Sequence, residues 1–215
     1  MPKVYVYVVD RDFGFAPNPF HGYCTLATCK AKIRARAQIG DWVIGMGGRR
    51  LNATGRCIFA MRVSQTLSFD EYWSSPDYFD KRPVRNGSDR MVVGDNIYHR
   101  SSFTHEWCQA DSHHSNPEGA VNAYNLDKDT RADRVLISNN FFYFGGQAPR
   151  VPQIILDEVG YRNCRDYRVF EQSACCGFLK WLYKEFGKYL NLILGDPFDF
   201  SQSAKRYSAE DNRIR

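Results

Sequence analysis

Apolar and polar residues alternate from the start of the chain. Residues 3–10, KVYVYVVD, interleave Val with Tyr, both β-prone, and predict a central strand. The next stretch, RDFGFAPNPFHGY, carries two prolines and two glycines, so it is a loop. It is an apolar loop, with Phe13, Phe15, Phe20 and Tyr23, and apolar loop surface must pack on something or bind something. Residues 28–38 favour a short amphipathic helix that Gly40 ends. Residues 41–47, DWVIGMG, read as an apolar strand, and Gly47-Gly48 turns the chain. Residues 56–66, RCIFAMRVSQT, form a second strong strand, long enough to bend. Ser68 followed three residues later by Glu71 has the form of a capping box, predicting a short helix that holds Tyr72 and Trp73.

From about residue 75 to 130 the pattern lapses into irregular, polar sequence broken by MVV and NIYH, and so long an aperiodic stretch points to function or disorder. Residues 134–145, RVLISNNFFYFG, restore a strand with a bulge at the paired asparagines. Residues 167–186 predict one long helix, with Phe170, Ala174, Phe178, Trp181, Leu182 and Phe186 at helical spacing. Without a repeat or an interdomain linker, the pattern describes a single α+β domain over residues 1–200. Its mixed sheet is formed by residues 3–10, 41–48, 55–67 and 134–145, and a polar, fraying tail follows at 201–215.

Composition adds bounds. The 215 residues suffice for one large domain. Aromatics reach 15%, which serves a packed core first and permits base stacking second. A net charge of +5, with Lys and Arg scattered, suits a local patch meeting a polyanion rather than a coat for DNA. The opening MPKVYVYVVDRD lacks a signal-peptide core and no apolar run is long enough for a bilayer, which places the chain in the cytoplasm and away from membranes. Seven cysteines without a secreted-domain spacing are expected to be reduced.

Several chemistries are excluded by missing signatures. There is no P-loop, no GxGxxG after the first strand, no GxSxG elbow, and no HxE paired with PCxxC. His105, Cys108, His113 and His114 have the residue types of a zinc site but not its paired-knuckle spacing, so neither metal nor other cofactor is expected. Cys29, beside Lys30 at an expected helix start, has the setting in which a thiol is activated, although burial as a packing residue is the favoured reading. Cys175 and Cys176 are expected to pack within the long helix.

Three stretches stand together: the Gly/Pro/Asn loop with its basic helix carrying Lys30, Lys32, Arg34 and Arg36; the Gly40-Asp41-Trp42-Val43 strand mouth; and residues 55–73. A basic helix, a GDxV strand and a returning strand that ends in a helix resemble the core of the PUA-like superfamily, which includes the ASCH, EVE and YTH domains. More closely, FAPNPF, CTLATCK, GDWVIGMGG, FAMRV with DEYW, DNIYH and VLIS with YFG resemble the second family of nucleotide-modification-associated domains, from about residue 3 to 155. The superfamily likeness implies a partly barrel-like sheet with flanking helices. The family likeness implies a role beside modified nucleotides in phage and bacterial modification or defence.

A base pocket needs an aromatic face and polar groups that read the base edge. Stacking candidates are Phe15, Phe20, Trp42, Trp73 and Trp107; edge-reading candidates are Asn18, Asp95, Asn96, Gln109 and Ser138. Lys30 and Arg34 are the candidates for phosphate. Each has a plain alternative: Trp42 as core, Asn18 as a turn former, Trp73 as a pin between helix and sheet, and Lys30 and Arg34 as a solvated face. Binding of a nucleotide, modified base or nucleic acid leads. An enzyme on the same substrates, with Asp12, Asp41, Asp95, His113 and His114 as its acid–base set, comes second. A subunit that binds a protein partner of a modification or defence operon comes third.

Overall fold

The structure, a computed structural model, describes residues 1–214. In chain order the strands are β1 (Lys3–Val9), β2 (Cys24–Leu26), β3 (Trp42–Gly47), β4 (Cys57–Arg62), β5 (Gln65–Leu67), β6 (Tyr98–Arg100), β7 (Trp107–Gln109), β8 (Val135–Ser138), β9 (Phe141–Tyr143), β10 (Tyr167–Glu171), β11 (Tyr207–Ser208) and β12 (Arg213–Ile214). The α-helices are α1 (Ala31–Arg36), α2 (Phe69–Ser74), α3 (Asp89–Val92), α4 (Ala123–Thr130), α5 (Gln153–Val159) and α6 (Cys176–Phe186). The fold is α+β, and its contacts fall into two compact units interleaved along the chain. None of the described helices is long and apolar enough to cross a membrane.

The first unit comprises residues 1–12, 37–65 and 138–198. Its open five-stranded sheet has the order β10-β1-β3-β4-β9. Strand β1 is interior, parallel to β3 and antiparallel to β10. Its Val and Tyr residues are buried on both faces from Val4 to Tyr7, as a run of β-branched and aromatic residues allows in a covered strand. Strand β3 carries a register shift between Gly45 and Met46. A Cβ at Gly45 would collide with the Phe59 ring and with Val9. Gly45→Ala is therefore expected to destabilise the protein by about 1–3 kcal/mol through overpacking, measured as a lower urea midpoint.

The segment at 167–186 is corrected. Residues 167–171 are the edge strand β10, and the helix starts only at Cys176. Phe170 fits helical spacing and strand alternation equally, and pairing with β1 decides between them. The asparagines at 139–140 interrupt rather than bulge: β8 belongs to a three-stranded sheet and β9 to the five-stranded one. The sheets remain open, and no closed barrel forms among the described residues.

Among the described residues, the second unit comprises 13–36, 66–137 and 199–214. Its three-stranded sheet has the order β2-β8-β5. Ser68 caps α2 in a complete capping box with Glu71. The aperiodic stretch from 75 to 130 is built around buried polar groups rather than an apolar stripe, which is why no periodicity marks its elements β6, β7, α3 and α4. Residues 201–214 do not dangle: Tyr207 N donates to His113 O at 2.7 Å, and β11 pairs with β12.

Candidate functional site

The second unit holds the arrangement with the most chemical content. The chain leaves β2, turns through Thr28-Cys29-Lys30, and enters α1. Cys29 and Lys30 both occupy the left-handed region, at φ +55° and +38°. Two successive non-glycine residues there are uncommon and persist only where the surroundings hold them. Four anchors hold these. The Cys29 N–H donates to Asp129 Oδ1 at 2.7 Å. The Arg34 guanidinium donates to Cys29 O at 2.9 Å, and also to Ala132 O and Arg134 O, each at 2.7 Å. The turn thus presents a half-buried thiol on a strand–turn–helix corner, the kind of strained corner on which hydrolases expose a nucleophile.

Asp129 comes from α4. The helix starts at Asn122, whose side chain accepts from Asn125 N. Asn125 and Asp129, four residues apart, share its buried face. His114 stands between Asp129 and Cys29. Its Nδ1 is 2.8 Å from Asp129 Oδ2, and its Nε2 is 3.8 Å from Cys29 Sγ. Tyr98 also donates to Asp129 Oδ2, at 3.0 Å. The loop bearing His114 is pinned through its carbonyl, which accepts from Gln109 Nε2 at 3.1 Å and from Asn125 Nδ2 at 2.8 Å. Phe15 lies 4.7 Å from the His114 ring and Tyr207 lies 5.7 Å from it.

Electrostatics follow from this packing. His114 and Asp129 are each 2% exposed. Burial works against a charged His114, but Asp129 and Cys29 outweigh it and raise the imidazolium to a pKa of about 10. Burial alone would push the Asp129 carboxyl up, yet His114 and Arg34 hold it below the usual carboxylate range. The pair is thus an imidazolium–carboxylate couple at neutral pH, with the thiol against the imidazolium's other nitrogen.

Among the described residues, Cys29, His114 and Asp129 are also the one cluster of three potential metal donors. Their donor atoms lie within 4.8 Å of one another, with Asp129 hydrogen-bonded to His114 Nδ1 and the thiol facing Nε2. Zinc takes at least three protein ligands. The geometry is that of a nucleophile, a base and an orienting carboxylate.

Of the residues singled out in the sequence, the structure brings His114 and Gln109 into this network, together with Arg34, which anchors the Cys29 turn. Arg34 is 0% exposed and committed to backbone carbonyls rather than turned to a phosphate. The His113 ring lies 4.5 Å from the Phe13 ring, tilted by 45°, and its Nδ1 lies 2.6 Å from Lys205 O. Lys30 is half-buried beside Cys29.

A second buried cluster gathers Asn18 and Asp95. Lys81 Nζ donates to Asn18 O at 3.0 Å, Asn18 Oδ1 at 2.8 Å and Tyr23 O at 2.7 Å. Asp95 accepts from Thr25 at 2.7 Å and from Tyr72 at 2.8 Å. Burial lowers Lys81 to about 8 against the pull of Asp95, and burial raises Asp95. All three Lys81 donors are used, so the cluster locks the loop at 16–25. Asn96 Nδ2 serves Tyr72 O and Tyr78 O. Phe20 is buried, stacked on Phe200.

The remaining singled-out residues lie apart. Trp73 stacks on His99 and under Arg82, and Trp107 is half-buried under Arg100. In the first unit, Asp12 accepts from Tyr143, Asp41 accepts from Lys3 N and Gln38 N, and Ser138 donates to Asn140 O. Trp42 is 2% exposed, beside Tyr183.

Sequence reasoning missed Asp129 altogether and ranked Cys29 as packing. The available signal was the i, i+4 pair of Asn125 and Asp129 on a short helix with little apolar face; a polar residue buried that way needs polar partners.

No curated protein and no solved structure matches this chain. One family model does, across residues 1–204, and with that span covering nearly the whole sequence the chain belongs to the family described as nucleotide modification associated domain 2.

Proposed function

We propose that the protein acts on a nucleotide or modified base through covalent thiol chemistry, as a hydrolase or transferase of an acyl group. The observation that carries this reading is the line Cys29 Sγ, His114, Asp129, with the two contacts at 3.8 and 2.8 Å. The family supplies the nucleotide context. The geometry supplies the reaction class.

His114 Nε2, in the imidazolium, holds the thiol proton as the sulfur attacks the carbonyl carbon of an ester or amide. A C–S bond forms and the carbonyl electrons move onto oxygen. Collapse of that intermediate breaks the bond to the leaving alcohol or amine, which takes the proton from Nε2. Water, or an acceptor hydroxyl or amine, then gives its proton to His114 and displaces the sulfur. Asp129 remains ionised, holding Nδ1–H and stabilising the imidazolium. The φ values at Cys29 and Lys30 fix the thiol where rotation would otherwise scatter it.

The test uses two probes on the full chain. Iodoacetamide at pH 7, with sites mapped by mass spectrometry, is expected to label Cys29 before the more exposed Cys176. Cys29 lies against the His114 ring, whereas exposure alone favours Cys176. His114→Gln should reverse that order. p-Nitrophenyl acetate should be hydrolysed with a burst of nitrophenolate that Cys29→Ala abolishes. If Cys176 is labelled first and no burst occurs, the thiol reading falls and binding without turnover takes its place.

A further inference from the structure

Asp129 stands at the centre of the thiol site, and its two oxygens have different duties. Oδ1 accepts from the Cys29 N–H at 2.7 Å, and Oδ2 faces His114 Nδ1 at 2.8 Å. The terminal torsion of an aspartate is soft and nearly two-fold, so a neighbour must fix which oxygen serves which partner. The Tyr98 hydroxyl, 3.0 Å from Oδ2, is a third donor on the same carboxylate. Tyr98 comes from β6 and is 0% exposed, with its ring against Phe69 at 5.4 Å and 77°.

The direction of that hydroxyl proton is set from outside the carboxylate. Gln109, the partner of Tyr98 across the β6–β7 pair, makes three side-chain hydrogen bonds. Its Oε1 accepts from Asn122 N at 2.7 Å, and its Nε2 donates to His114 O at 3.1 Å and to Tyr98 Oη at 3.2 Å. Two of these partners are backbone groups, an N–H that can only donate and a C=O that can only accept. They leave the amide one orientation, because a flipped amide would set donor against donor at Asn122 and acceptor against acceptor at His114. With Nε2 donating to its oxygen, the Tyr98 hydroxyl directs its own proton to Asp129. Burial, and then the charge of Asp129, hold that hydroxyl well above its ordinary pKa, so it remains a donor.

We propose that Tyr98 is a positioning residue of the thiol site, its hydroxyl held by Gln109 as a fixed donor that assigns Oδ2 of Asp129 to His114. This role rests on Cys29 being the nucleophile. Tyr98 acts on His114 only through the carboxylate, in two ways. It stops the carboxylate from turning, which keeps the Cys29 turn and the imidazole on separate oxygens. It also takes a share of the charge on Oδ2, which moderates the pull of that oxygen on the Nδ1 proton. Gln109 acts one step further out, through the polarity it imposes on Tyr98 and through the His114 carbonyl it holds.

Two readouts on the full chain test this: the proton resonance of His114 Nδ1–H at pH 7, assigned by its loss in His114→Gln, and the nitrophenolate burst. Tyr98→Phe removes one oxygen and keeps the ring on Phe69. The resonance is expected to move further downfield, because Oδ2 then serves one donor instead of two. The burst should slow by about 10- to 100-fold, the usual cost of losing a group that orients a functional side chain from behind. Gln109→Met should move the resonance in the same direction, and should move it no further when added to Tyr98→Phe, since it acts through that hydroxyl. A resonance that stays in place in Tyr98→Phe, or vanishes by exchange with water, makes Tyr98 a packing residue and overturns its assignment, as does a burst at the wild-type rate. A further shift in the double variant overturns the part given to Gln109. If the wild type gives no burst, the thiol reading falls instead, and the resonance still decides whether Tyr98 orients Asp129.

Discussion

Asp129→Asn should slow Cys29-dependent ester hydrolysis by about 10²- to 10⁴-fold, the range seen when the group that orients a catalytic histidine is replaced. The carboxylate accepts from His114 Nδ1 and so keeps that proton in place while Nε2 gives its own to the leaving group and takes one back from water. An amide turned to offer its N–H would favour the opposite tautomer, with a proton already on Nε2 facing Cys29. The imidazolium would also lose its counter-charge, and the Cys29 N–H would keep at best a neutral acceptor. Preferential labelling of Cys29 by iodoacetamide should decline in parallel. A variant that hydrolyses p-nitrophenyl acetate at the wild-type rate would leave Asp129 a purely architectural residue.

The same couple sets a pH dependence of stability. His114 is raised from its ordinary value near 6.5 to about 10, so its contribution is fully present below pH 6.5 and is lost as the pH climbs through 10. Asp129 is held below its ordinary value, so its contribution is present at neutral pH and is lost on acidification. Urea midpoints should therefore fall between pH 7 and 10 for the wild type. The gap between wild type and Asp129→Asn should narrow over that window. A gap that stays constant would mean the pair is not an ion pair at neutral pH.

Arg34→Met should cost about 3–5 kcal/mol of folding stability, the scale for removing one member of a buried, hydrogen-bonded charge network. Methionine matches much of the volume and would keep the contact with Phe69, over which the guanidinium lies at 5.3 Å. It cannot donate to the carbonyls of Cys29, Ala132, Arg134 and Asp129, which Arg34 now satisfies. Burial lowers the Arg34 pKa and Asp129 opposes that shift, so the charge persists because its partners are in place. Arg34→Lys should recover less than half of the loss, since a compact ammonium has no planar fork to span acceptors on three segments. The Cys29 turn would lose the anchor on its carbonyl, so selective labelling of Cys29 should fade in both variants. A loss below about 1 kcal/mol in urea would show that those carbonyls find other donors.

How much of this was legible beforehand can be judged from particular residues. The Val–Tyr alternation of residues 3–10, the apolar run at 41–47 and the capping box at Ser68 and Glu71 are local signals, and they became β1, β3 and α2. The spacing of Phe170 and Ala174 misled, because a pattern shared by a strand and a helix is decided by what it pairs with, and β1 offered an open edge. Arg34 looked like a solvated or phosphate-binding cation because charge in a sequence carries no sign of burial. Only the convergence of backbone carbonyls from residues 29, 129, 132 and 134 makes a buried guanidinium affordable.

The sequence by itself determined the α+β class, the interior first strand, the absence of phosphate-loop and dinucleotide signatures, and the family. These rest on local periodicity and on ordered motifs, which need no partner to be read. Only the tertiary structure decided which residues meet. Cys29, His114 and Asp129 are separated by 85 and 15 residues along the chain. A left-handed turn, a loop pinned through its carbonyl, and one face of α4 bring them into line. Residues so far apart meet only in the folded chain, and neither their distance nor their burial is written in the order of the residues.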